Sequence, residues 1–251
     1  MEKKQLPMSL SRLVDFIGNT INKEGKLTAK RAKEVVLEAN VQVEDMMVFA
    51  DFDHPVEDCY GRKLVYDGGN FEVMVMSWEP GDYSSIHNHG YTEWGVVQVF
   101  GNTHHFIYNL KGEQLSFAKK EILPSGTAIK VNNALIHQMG NTTSKPYLTL
   151  HVYGANTLAD GITADAHNFD LEFDRIVLTC GGAFFNLPES AIHGIIGKVK
   201  PTKEVFLHYA YLLMDYYNRQ EQTDKIIDLK HHLLQKMKHF IFNHTGAILE
   251  V

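Results

Sequence analysis

The strongest constraint on the fold is a change of period along the chain. Between about residues 60 and 180, apolar residues come in short β-type runs at 71–78, 94–100, 104–108, 128–131 and 147–152. Turn signals divide them: Asp67-Gly68-Gly69, Pro80-Gly81, Lys111-Gly112 and Pro124-Ser125-Gly126. Many short strands joined by tight turns predict a sheet sandwich or a closed barrel.

On either side the period is helical. Leu10, Leu13, Val14, Ile17 and Ile21 share one face, and Thr28 is placed to cap a second helix carrying Ala29, Ala32, Val35 and Val36. After Gly181-Gly182 the pattern returns to helix. Pro201-Thr202 opens one helix through Tyr217, and a second carries Ile226, Leu229, Leu233, Met237 and Phe240. These stripes are read as packing faces, against each other, the barrel or a second subunit in a homodimer. The expected organisation is an N-terminal helical segment over 1–55, a barrel over 56–185 and a C-terminal helical extension over 186–251, forming one compact domain.

The formal net charge is −6 and no long basic run is present, which argues against a nucleic-acid surface. The Lys26–Lys33 and Lys230–Lys238 clusters read as solvated helix faces. Two cysteines, Cys59 and Cys180, make no disulfide framework. No apolar run reaches the roughly 18 residues of a membrane span, and the first residues carry no apolar leader. The expected location is cytoplasmic, and the expected partner is a small molecule.

Histidine is abundant, with 14 residues, so spacing decides which ones matter. His87 and His89 are two apart, and residues two apart on a strand face one side. His137 falls about fifty residues later, where a barrel returns a strand to the same space. Neutral imidazoles with open positions left over suit a transition metal that must also bind substrate and oxygen. The segment from Gly81 to Glu93 fits G-x5-H-x-H-x3-E, the first motif of the cupins. The stretch His137-Gln138-Met139-Gly140-Asn141 fits the H-x3-N end of the second. The predicted fold is therefore mainly β: a cupin barrel, that is, a double-stranded β-helix or jelly roll, with helical additions at both ends.

Over residues 60–182 the sequence resembles the cysteine dioxygenase family of thiol dioxygenases. Four stretches carry the likeness: Tyr60-Gly61-Arg62, Ser84-Ser85-Ile86-His87-Asn88-His89, Leu135-Ile136-His137 and Thr149-Leu150-His151-Val152-Tyr153. Further on, Ile176-Val177-Leu178-Thr179 resembles the closing strand of that fold. The resemblance implies Fe(II) held by His87, His89 and His137, with O2 as co-substrate. It implies a relay of Thr149, His151 and Tyr153, and a substrate carboxylate held by Arg62 beside Tyr60. The implied reaction is oxidation of the thiol of a small amino-acid-like substrate, cysteine or a relative, to a sulfinate. The residues make sense of the relay without the family. Thr149, His151 and Tyr153 alternate by two, so a hydroxyl, an imidazole and a phenol stand in a row. Arg62 brings a planar fork suited to a carboxylate.

The sequence departs from the family pattern beside the histidine pair. Where some members carry a cysteine that crosslinks to the tyrosine, the ungapped alignment places Trp94, or Gly95 after a one-residue shift, so no Cys–Tyr crosslink is expected. Trp94, if it faces inward, narrows the substrate pocket. Glu93 stands where other cupins have a carboxylate ligand and is a candidate fourth ligand. Such a three-His, one-Glu site would favour an oxygenase acting on a non-thiol amino acid or small acid. A small-molecule-binding cupin without catalysis is the remaining alternative. His104-His105 adds little at this level, since at most one of two neighbours on a strand points inward.

Overall fold

The structure is a computed structural model that describes residues 6–157 and 161–242. Residues 1–5 and 243–251 of the expected helical segments lie outside that range.

Helix α1 (Met8–Glu24) and helix α2 (Ala29–Ala39) form as the periodicity predicts, and the Thr28 side chain accepts a hydrogen bond from the Arg31 amide. A short helix, α3 (Val43–Met46), follows. The strands are β1 (Gly61–Asp67), β2 (Phe71–Trp78), β3 (Trp94–Val99), β4 (Thr103–Lys111), β5 (Gln114–Leu123) and β6 (Ala128–Val131). They continue with β7 (Ile136–Gly140), β8 (Tyr147–Gly154), β9 (Ala166–Asp170) and β10 (Arg175–Thr179). Two further strands, β11 (Gly194–Lys198) and the short β12 (Lys200–Pro201), precede helices α4 (Lys203–Arg219) and α5 (Asp224–Phe242). The chain after Gly182 therefore does not turn directly to helix. Instead β11 pairs with β10 and β12 with β5. This stretch is too short and glycine-bounded to show a period.

The first sheet has the order β1-β2-β8-β3-β6. Opposite it stand β12-β5-β4-β7 and β11-β10-β9. Residues 83–88 join these two groups into one curved wall. The amides of His87 and His137 each donate to the other's carbonyl, at 3.0 and 2.9 Å. On the other side the Asn88 amide donates to the His167 carbonyl and the Phe169 amide to the Ile86 carbonyl. Two sheets facing each other in this order make the cupin double-stranded β-helix.

The first sheet is buried on both faces. Outward it presents Val73, Val75, Trp94, Val96, Leu148, Leu150 and Val152 to Leu10, Leu13, Ile17, Val35 and Val36 of α1 and α2. Inward it presents Met74, Met76, Trp78, Val97, Val99 and Tyr153. Each fully buried large aliphatic side chain contributes about 1.5–3 kcal/mol, so the N-terminal helices are integral to the barrel. Helix α4 starts at the Thr202 cap and packs Val205, Phe206, Tyr209 and Leu213 into the core of the opposite side. No helix among the described residues is long and apolar enough to cross a membrane.

Candidate metal centre

The bridging segment and β7 bring His87, His89 and His137 together. One ligand atom from each lies within 4.8 Å of the others, and this is the only such His/Cys/Asp/Glu group among the described residues. His89 Nε2 and His137 Nε2 face each other at 3.1 Å. Two nitrogens each about 2.1 Å from one ion, at roughly a right angle, lie about 3 Å apart. The rear nitrogens are engaged: His87 Nδ1 donates to the Ser85 carbonyl at 2.9 Å and His89 Nδ1 to the Asn132 carbonyl at 3.2 Å. That leaves the Nε2 lone pairs for a metal. Desolvation pushes His87 down to about 4 and holds His89 and His137 well below the usual imidazole range. All three are thus neutral, as ligands must be, and the donor set fits a divalent transition metal.

A small cavity of about 20 Å³ opens over the cluster, lined by Tyr60, Met76, Trp78, Met139, His151, Tyr153, Thr163 and the three histidines. Tyr60 stacks on Trp78 at 4.7 Å, and its hydroxyl accepts from the Ala183 amide at 3.2 Å. The Tyr153 ring sits 5.3 Å from that of His89.

Thr149, His151 and Tyr153 form an unbroken row on β8. Thr149 Oγ1 lies 2.7 Å from His151 Nε2, and His151 Nδ1 lies 2.7 Å from the Tyr153 hydroxyl. The row has a direction. Trp78 Nε1 only donates, and it donates to Thr149 Oγ1 at 2.9 Å. Thr149 is fully buried, so its own proton is satisfied by donating to His151 Nε2. His151 then carries its proton on Nδ1 and donates to the Tyr153 oxygen, which leaves the phenol proton to point onward. Burial pushes His151 down to about 3 and Tyr153 well above the usual phenol range, so neither is ionised near neutrality.

Arg62 stands on β1 opposite Met76, and paired residues share a face. It therefore faces inward beside a cavity-lining residue without lining the cavity itself. Its Nε is buried and has no hydrogen-bond partner, which is costly unless an anion completes it. Its charge opposes the upward shifts of Tyr60 and Tyr153.

Two expectations are corrected. Trp94 does not narrow the pocket: it packs on the outer face of β3 among the N-terminal helix residues. Gly154 permits this, since a Cβ there would lie 2.1 Å from the Trp94 ring. Glu93 is not a fourth ligand. Its carboxylate is exposed and accepts from the Asn156 amide, the Asn156 side chain and the Thr157 hydroxyl. The residue paired with Tyr153 on β3 is Gly95. Cys59 is buried against the Phe185 amide and Cys180 is exposed, so Tyr153 has no sulfur to join. Asn88 Oδ1 accepts from the Gly90 and His167 amides, at 3.3 and 2.8 Å.

One residue was undervalued by the sequence. His105 is buried and lies 2.9 Å from His137 Nδ1. Strand parity restricts the inward member of His104-His105 to one. The register that brings His105 beside His137 and opposite Glu121 arises only when β4 pairs with both β5 and β7.

Fold and site together define a cupin with a three-histidine centre and a hydroxyl–imidazole–phenol row beside it. The family model for cysteine dioxygenase type I matches residues 6–157, and the chain belongs to that family. The match extends beyond the barrel to include α1 and α2. Among relatives, cysteine dioxygenase type 1 of Danio rerio is 28% identical over 117 residues, covering 44% of this chain and 57% of that protein. The Rattus norvegicus enzyme of the same name is 26% identical over 167 residues, covering 61% and 78%. The chain thus spans little more than half the length of several of the relatives it matches, 54% for those of Bos taurus and Homo sapiens. A double-stranded β-helix protein from Klebsiella pneumoniae is 14% identical with a TM-score of 0.35, covering 47% of this chain and 91% of its own.

Proposed function

We propose that this protein is a mononuclear non-haem iron dioxygenase that converts the thiol of a small amino-acid-like substrate to a sulfinate. The carrying observation is the neutral three-histidine cluster with the directed Thr149–His151–Tyr153 row ending beside it. Family membership supports the same reading.

His87, His89 and His137 would hold the iron through Nε2. When bound, Fe(II) supplies a Lewis-acidic, redox-active centre at which a thiolate and dioxygen meet. The remaining work falls to the chain. Arg62 offers a buried, unpartnered donor to the substrate carboxylate and so orients the sulfur. Tyr153 remains protonated and donates a hydrogen bond into the cavity, fixed in direction by His151 and Thr149. Tyr60, Trp78 and Met76 line the wall and limit water. The balance is one thiolate plus one O2 giving one sulfinate: both oxygen atoms end on sulfur and no external reductant is consumed.

The test is anaerobic loading with Fe(II), addition of cysteine and related thiols, then admission of oxygen. Oxygen uptake matched by a two-oxygen gain in thiol mass is the expected result. Metal uptake with no thiol turnover, while non-thiol amino acids are oxidised, would overturn it. His87→Ala should abolish both metal uptake and turnover.

A further inference from the structure

The three ligand imidazoles are not backed alike. Behind His87 and His89 stand main-chain carbonyls, from Ser85 and Asn132. Behind His137 stands a second imidazole, that of His105, at 2.9 Å. His105 Nδ1 in turn lies 3.1 Å from Glu121 Oε1, and Glu121 is paired with Lys119 at 2.5 Å. The row crosses three adjacent strands, β7, β4 and β5, from the buried centre to the rim. His105 is 2% exposed, while the Glu121 side chain is 24% exposed.

Metal ligation fixes the direction of this row. A ligand nitrogen must offer its lone pair, so His137 Nε2 carries no proton and Nδ1 does. That proton is donated to His105 Nε2, which must then be the acceptor. His105 therefore carries its proton on Nδ1 and donates to the Glu121 carboxylate. A carbonyl accepts the ligand proton passively, whereas an imidazole anchored to a carboxylate pulls on it and enriches the ring in electrons.

We propose that His105 and Glu121 are positioning residues of the metal centre, locking the ring of His137 and making it the strongest electron donor of the three ligands. This rests on the metal reading above. It requires neither residue to touch substrate.

The experiment measures Fe(II) and Co(II) affinity anaerobically, by competition with a chromophoric chelator. It compares the unaltered protein with His105→Phe, His105→Met, Glu121→Gln and the double variant His105→Met/Glu121→Gln. His105→Phe should weaken binding about 10–100-fold, and Glu121→Gln by a smaller factor. His105→Met keeps a weak thioether acceptor for His137 and should recover part of the loss. It has no donor for Glu121, so Glu121→Gln should cost nothing further in that background. Wild-type affinity in His105→Phe would overturn the proposal, as would an equal Glu121→Gln effect in both backgrounds. Should His105→Phe fail to fold, the cycle between His105→Met and Glu121→Gln decides alone. Wild-type protein that takes up neither metal, or binding that survives His87→Ala, would instead sink the metal reading and this inference with it.

Discussion

At the scale of single residues, the direction of the Trp78–Thr149–His151–Tyr153 row determines where the last proton goes. Thr149→Val keeps the shape but removes the donor that holds His151 in one tautomer. The phenol can then turn back and donate to His151 Nδ1, and it is lost to the cavity. The expected result is a fall in kcat of about tenfold or more, toward the roughly 10²-fold effect of losing a positioned proton donor altogether in Tyr153→Phe. Metal content should stay unchanged, and Thr149→Ser should restore activity. Because both residues serve one donor, Thr149→Val/Tyr153→Phe should be no slower than Tyr153→Phe alone. Additive losses, read from steady-state rates at matched metal content, would contradict the row as a unit. The alternation of Thr149, His151 and Tyr153 was legible in the sequence because it is local to one strand. The part of Trp78 was not, because it comes from β2, 71 residues away in the chain.

At the scale of elements, β3 shows why parity alone misplaces a side chain. All six of its residues are buried, so no polar face marks which side meets the cavity. Its neighbour β8 settles the matter: Gly95 is paired with Tyr153 and Val97 with His151, which turns Trp94 outward under α1 and α2. Trp94→Ala should therefore cost about 3–5 kcal/mol of stability. Metal affinity and KM of the protein that remains folded should not change. Trp94→Phe should be much milder, because the buried Nε1 it removes has no hydrogen-bond partner. Denaturant titration beside steady-state kinetics checks both, and a raised KM at unchanged stability would return Trp94 to the pocket. The caps at Thr28 and Thr202 were readable for the opposite reason. A cap hydroxyl and the amide it serves are three residues apart, so no tertiary information is needed.

At the scale of the whole molecule, the C-terminal helices are fastened to the barrel at the turn between β9 and β10. Tyr217 of α4 donates to Glu172 Oε2 at 2.6 Å, and Lys236 of α5 donates to the Leu171 and Glu172 carbonyls at 2.9 Å. Glu172 is 2% exposed and its second oxygen has no partner. Burial raises its carboxyl to about 7, opposed by the Tyr217 hydrogen bond. A carboxyl whose folded value lies above its unfolded one binds its proton more tightly when folded. Its contribution is thus fully present below about pH 4.5 and is lost as pH rises to about 7. The size of that loss is at most about 3 kcal/mol. Glu172→Gln keeps an acceptor for Tyr217 and has no proton to lose. Buried histidines act in the opposite sense over an overlapping range, so the quantity to follow is the difference between wild type and Glu172→Gln. That difference should grow in favour of Glu172→Gln from pH 5 to pH 7.5 and level off above it, as measured by urea unfolding at each pH. A difference that stays constant across the range would mean that Glu172 is ionised throughout, with the clamp holding a charge instead of a shared proton.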